Sequence, residues 1–182
     1  MHFLLLEALS KDELRRLLSY LEAHDRTVYL MALLQFWHAG RNSEIIHLTR
    51  DNFDGDHIKF RRLKGSEPCD QALVSHPDPL LDEREKVFAF LSKLGGKQRL
   101  FGMSRFTYLR RLKRAALAVG IRPSKSRTTV LKHSICTYMY ENAPANAVQR
   151  RAGHKNGANT LRYGKVSESQ VDSLVLESVG LA

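Results

Sequence analysis

The sequence predicts a mainly α-helical chain with one small antiparallel β-sheet, an α+β arrangement. Two observations carry this expectation. Apolar residues recur at helical spacing behind helix-capping residues over most of the chain, as in Leu14, Leu17, Leu18 and Leu21 behind Ser10. Residues 49–75 break that period: an Asp-Gly turn pair is followed by Ile58 and Phe60 alternating with Lys59 and Arg61. At 182 residues a single domain (1–182) is the default, and a chain of this length can bury a sizeable core.

Taken in order, Ser10 opens S-K-D-E, a capping box with Glu13 at the third helical position. Asp25 is placed to cap a second helix, rich in apolar residues from Val28 to Trp37, with Gly40 as its breaker. Ser43 is the expected cap of a short third helix through Glu44, Ile45 and Leu48. In the sheet window a second strand is expected near Gln71 to Val74, after a break from Gly65 to Pro68. Asp78-Pro79 combines a cap with a first-turn proline and predicts a helix to Leu94, ended by Gly95-Gly96. Ser104 caps FTYLRRLKRAALAV, which Gly120 terminates, and RPSKS after it reads as a basic loop. Helices are expected over 127–142, 144–152 and 158–163, then an amphipathic tail at 166–182 with Val171, Leu174, Val175 and Leu176. There are no internal repeats or low-complexity tracts.

Charge narrows the class of partner. Lys plus Arg is 29 against 19 acids, a net charge of +10, which favours a polyanion, although a general solubility charge would give the same total. Cys69 and Cys136 stand in no metal spacing, so neither a structural disulfide nor a metal is expected, and a reduced cytoplasmic setting fits. No apolar run approaches the ~20 residues of a membrane span. The opening MHFLLLEALSKDEL lacks a basic region and a small-residue cleavage site, so it does not read as a signal peptide.

The densest cluster of chemistry-bearing residues is 128–166, where Gly153-His154 is followed nine residues later by Tyr163. Four stretches line up in order with one pattern. HAGRNSEIIHLTRDNF resembles the Thr-Gly-Leu-Arg-x-Ser-Glu-Leu block of the tyrosine recombinases, the phage-integrase family. IKFRRLKG resembles that family's lysine-bearing hairpin, TVLKHSICTYM its His-x-Leu-Arg-His-Ser helix, and AGHKNGANTLRYGKV its Leu-Gly-His and tyrosine. The resemblance spans residues 8–180.

The resemblance implies DNA strand breakage and rejoining through a 3′-phosphotyrosine, in site-specific recombination or integration, with no cofactor. Such chemistry needs a nucleophile, a proton donor for the leaving 5′-oxygen and cations around the transition state. By the match, Tyr163 is the nucleophile, Arg41 a phosphate fork, Glu44 an orienting acid and His154 a phosphate contact. Lys64 matches the general acid, with Lys59 and Arg61 as competitors for that place. His133 matches a buried structural histidine. Two positions depart: Thr129 stands where the family has His or Lys, and Lys132 where it has a second arginine. Lysine keeps the charge but loses the bidentate fork, and threonine carries no charge.

Double-stranded DNA is the implied partner. Assembly on DNA would be a homo-oligomer, a tetramer by resemblance, while the isolated domain is compatible with a monomer. Arg61, Arg62, Arg110, Arg111, Lys113 and Arg114 are the expected DNA contacts, with Phe106, Leu109 and Leu112 turned to the core. The family's N-terminal DNA-binding domain is expected to be absent, because the chain begins where the catalytic domain should begin. The tail is expected to dock in trans or onto its own domain. A non-cleaving DNA-binding relative, favoured by Thr129 and Lys132, remains open, as does an unrelated helical DNA-binding regulator suggested by RRLKR. A type IB topoisomerase shares the chemistry but not the Ala-Gly-Arg-x-Ser-Glu block.

Overall fold

The organising element is α2 (Arg26–Trp37), whose residues from Val28 to Phe36 are all buried. A helix apolar on every side must lie in the middle of a core. The computed structural model describes residues 7–60, 69–95 and 98–154. Around α2 pack α1 (Lys11–His24), α4 (Glu83–Leu91), α5 (Arg105–Ala118) and α6 (Thr129–Tyr140). At its C-terminal end stand α3 (Asn42–Ile46), the sheet and α7 (Ala145–Ala152).

The first helices follow their caps. Ser10 Oγ accepts the Glu13 amide at 3.1 Å and Glu13 Oε2 accepts the Ser10 amide at 2.7 Å, closing the capping box of α1. Leu14, Leu17, Leu18 and Leu21 are buried, as their spacing requires. Asp25 caps α2 through the Val28 amide.

Beyond α2 the structure corrects two expectations. The left-handed residue that ends the helix is Ala39, at φ 47°, not Gly40. Gly40 serves close approach instead: a Cβ there would stand 2.8 Å from Ile45 Cδ1. The cap of α3 is Arg41, not Ser43, because Glu44 at the third position reaches back to the Arg41 amide at 2.8 Å. Ser43 therefore lies inside the helix.

The sheet has three antiparallel strands in the order β1-β2-β3: β1 (Phe53–Asp54), β2 (His57–Phe60) and β3 (Cys69–Ala72). Ile58 and Phe60 are buried while His57 and Lys59 are exposed, the alternation read from the sequence. Strand β3 begins at Cys69, earlier than expected, and pairs Cys69 with Phe60 and Gln71 with Ile58.

Helix α4 starts one turn later than Asp78-Pro79 suggested. Asp82 is its cap, and Asp78 closes a separate turn, accepting the Leu80 amide at 3.0 Å. The cause is tertiary. Tyr29 Oη donates to the Leu80 carbonyl at 2.6 Å and Trp37 Nε1 to the Leu81 carbonyl at 2.9 Å, so α2 takes the carbonyls a longer helix would have used.

Ser104 caps α5 and Gly120, at φ 75°, follows its end. The expectation that Phe106 faces the core is overturned: it is 81% exposed. Tyr108 takes the inner position, fully buried, with its hydroxyl donating to Gln35 Oε1 at 2.7 Å. Leu112 is buried and Leu109 half-buried. RPSKS holds a short 3₁₀ turn, Pro123–Lys125, and Lys125 Nζ reaches Glu13 at 2.8 Å. The expected helix at 158–163 and the tail at 166–182 lie outside the described residues.

Gly40→Ala puts a methyl 2.8 Å from Cδ1 and 3.2 Å from Cγ1 of the fully buried Ile45, so that side chain must shift within the core. The expected cost is about 1–3 kcal/mol in urea unfolding, the range for overpacking a tight core. An unchanged midpoint would contradict the close approach.

Candidate active site

The site is assembled at the C-terminal end of α7, immediately before His154. The last four carbonyls of a helix have no partner inside it. Here each is taken. The His154 amide donates to the Gln149 carbonyl at 3.0 Å and the Gly153 amide to the Arg150 carbonyl at 3.2 Å, with Gly153 in the left-handed conformation at φ 66°. Gln71 Nε2, from β3, donates to the Arg151 carbonyl at 3.2 Å. Lys132 Nζ, from α6, donates to the Ala152 carbonyl at 2.8 Å. An ammonium at this helix end also meets the negative pole of the helix dipole.

The same helix end is tied to α2. Arg151 Nε donates to the Trp37 carbonyl at 2.7 Å. The next residue, His38, has Nδ1 2.9 Å from Gln71 Oε1. Its Nε2 lies 2.9 Å from Glu83 Oε1, and both side chains are fully buried. Glu83 Oε1 also accepts the Val74 amide at 2.7 Å, which ties α4 to the chain after β3. Gln71 thus bridges α2 and α7 with the two ends of one amide.

Arg41 follows three residues after His38. Its guanidinium meets Glu44 Oε1 at 2.9 Å while Glu44 Oε2 holds its amide. Glu44 is 1% exposed and Arg41 27%, so the acid is an inner brace and the guanidinium reaches outward. Thr129 and Lys132 share a helix face by spacing but differ in burial: Thr129 is exposed and Lys132 buried against α7. His133 is half-buried, and burial, with the Lys132 charge beside it, pushes its pKa down to about 4. A 530 Å³ cavity opens beside His154, lined by Cys69 and Asp70 of β3 and by Asn146, Gln149, Arg150 and Gly153.

Of the residues singled out in the sequence, Lys132 and His154 meet at the end of α7, and Arg41 follows the segment that Arg151 and Gln71 fasten there. Arg110, Arg111, Lys113 and Arg114 are exposed on α5, Arg111 pairing with Asp25 at 3.2 Å. Tyr163, Lys64, Arg61 and Arg62 lie outside the described residues. The sequence reading missed His38, Gln71, Glu83 and Arg151. His38 and Arg151 flank the A-G-R and A-G-H blocks, the one local signal available. Among the described residues no helix is long and apolar enough to cross a membrane, and no group of His, Cys, Asp or Glu could hold a metal ion.

A profile of the phage integrase family matches residues 7–170. The chain belongs to this family. It is 28% identical over 168 residues to the tyrosine recombinase XerA of Thermococcus kodakarensis, covering 88% of this chain and 58% of that protein. The catalytic domain of bacteriophage HP1 integrase has the same fold, with a TM-score of 0.70 at 21% identity over 93% of this chain and 94% of that one. XerH site-specific recombinase, solved bound to difH substrate, matches with a TM-score of 0.73 at 17% identity, over 94% of this chain and 54% of that one.

Two outcomes test this integrase-family site. Gln71→Leu removes a hydrogen-bond partner of both His38 Nδ1 and the Arg151 carbonyl, and should cost about 1–3 kcal/mol in chemical unfolding, the range for loss of a buried polar partner. A loss below about 0.5 kcal/mol, the range of ordinary surface changes, would contradict the bridge. The pKa of His133 is lower folded than unfolded, so its neutral form is the one the fold favours. Its contribution is complete above the unfolded value of about 6.5 and is lost as pH falls from there through about 4. Unfolding midpoints should fall over that window, less steeply in His133→Gln; equal slopes would remove His133 as the cause.

Proposed function

We propose that this chain breaks and rejoins DNA strands in site-specific recombination or integration, through a covalent 3′-phosphotyrosine. In this reading the Tyr163 hydroxyl attacks a backbone phosphorus as it gives up its proton to solvent water. The bond to the 5′-oxygen breaks, and Lys64 supplies the proton that oxygen needs to leave. Arg41, Lys132 and His154 surround the phosphoryl oxygens with donors, Glu44 keeps Arg41 in place, and Thr129 offers one hydrogen bond. The phosphotyrosine stores the bond energy, so a second strand is joined by the reverse attack of its 5′-hydroxyl. Duplex DNA is the partner, and copies of the chain assemble on it.

The observation that carries this reading is the fastening of the α7 end to α6, β3 and α2. It supports a site in which groups from distant parts of the chain are held before substrate arrives, as transition-state stabilisation requires. The family match makes DNA recombination chemistry the leading class; the match to full-length relatives covers about half their length, so the complete reaction is part of the proposal.

A second reading, a non-cleaving DNA-binding relative, draws on Lys132. Its ammonium is buried and one of its three donors is spent on the Ala152 carbonyl, while Thr129 brings no charge.

Nicked suicide duplexes separate the two. The natural chain should form a covalent DNA adduct that Tyr163→Phe abolishes. Lys132→Arg should raise the adduct rate, by up to about 10²-fold if a full transition-state donor is gained, and Thr129→His should add to it. Duplex affinity should hardly change in these variants, because ground-state phosphate contacts are many and each variant alters one group among them. If neither the natural chain nor the Thr129→His, Lys132→Arg double variant forms an adduct although both bind duplex, the second reading replaces the first.

A further inference from the structure

Phe106 is the most exposed large apolar side chain among the described residues, at 81% against 45% for Leu117 and 39% for Phe88. It stands on a helix of unusual charge. Helix α5 carries five cations and no acid. Arg111 is paired with Asp25, but Arg105, Arg110, Lys113 and Arg114 are exposed and make no ion pair among the described residues. Helical spacing puts Tyr108, Leu112, Ala115 and Ala116 on the inner face and Phe106, Arg110, Lys113 and Leu117 along the opposite, outer stripe.

The first turns of α5 are fixed beside the Arg41 segment. Tyr108 Oη bonds Gln35, near the end of α2. The Leu100 amide donates to the Leu48 carbonyl at 2.9 Å, and Thr49 bridges Arg99, so the segment leading into α5 is stitched to the chain after α3. The helix therefore presents a phenyl ring on the same outward stripe as Arg110 and Lys113, on an element anchored by its inner face.

We propose that Phe106 is a specificity-determining residue, packing on a thymine methyl group in the DNA major groove while Arg105, Arg110, Lys113 and Arg114 hold phosphates on either side. This rests on the DNA-acting reading above. A phenyl ring gains nothing from phosphate, and a solvent-facing ring gains nothing from water. The thymine methyl is the apolar feature of the groove, and the groove is wide enough for one helix. The surrounding cations match the phosphates bordering that groove.

The test uses the full 182-residue chain and duplexes it selects from a randomised pool, resynthesised with deoxyuridine in place of thymine, position by position. At one position or more the natural chain should bind the deoxyuridine duplex about fourfold more weakly, the worth of one buried methyl group. Phe106→Ala, a surface change that should leave the melting temperature unmoved, should abolish that difference and keep the salt dependence. The Arg110→Ala, Lys113→Ala double variant should weaken both duplexes, lower the salt slope by about two, and keep the thymine preference. The proposal is overturned if the natural chain does not distinguish thymine from deoxyuridine, or if Phe106→Ala distinguishes them as well as the natural chain. It is also overturned if polyglutamate competes as well as duplex and Phe106→Ala weakens both equally, which would mark an acidic protein as the partner. Salt-dependent duplex binding with no thymine preference removes the role of Phe106 alone; no duplex binding at all removes the DNA reading with it.

Discussion

The four terminal carbonyls of α7 are the point on which the rest of the site depends. Two are closed by the chain's own left-handed turn at Gly153, one by Gln71 of β3 and one by Lys132 of α6. A helix end left open would fray, and His154 directly follows this one. Closing it with side chains from other elements converts a local capping requirement into a tertiary joint. The fully buried His38 and Glu83, and the tie from Arg151 to Trp37, extend that joint to α2 and α4. Buried polar groups are costly unless paired, so the joint is stable as a set and vulnerable to the loss of one member.

The joint also explains how Arg41 is positioned. Helix α2 ends in a left-handed alanine, Gly40 lies tight against Ile45, and Glu44 grips both the amide and the guanidinium of Arg41. Each contact removes a degree of freedom from the arginine. Lys132 stands differently. It is buried and structural in part, so a substitution there acts on the α7 end as well as on charge.

Much of the fold was legible because capping is local. Ser10, Asp25 and Ser104 each announce a helix through a residue three or fewer positions away, and all three helices stand where their caps put them. The failures came where tertiary partners compete with local ones. Asp78-Pro79 has the right chemistry for a helix start, but Tyr29 and Trp37 take the carbonyls. Phe106 looked like core by composition, yet Tyr108 holds the inward position. Within the site, residues carrying a family motif could be named from the sequence. The buried braces could not, because their bonds join residues 33, 80 and 114 positions apart, and no spacing rule reaches that far.

The central claim is that contacts from other elements, and not α7 alone, hold the helix end that carries His154. Hydrogen exchange at the Gly153 and His154 amides measures this directly, since both close terminal carbonyls of α7. In the natural chain these amides should exchange only through a large cooperative opening, and in Lys132→Met they should exchange through local fraying at a free energy near zero. Equal, fast exchange of both amides in the natural chain and in Lys132→Met would contradict the claim, because the helix end would then be loose with or without its partners.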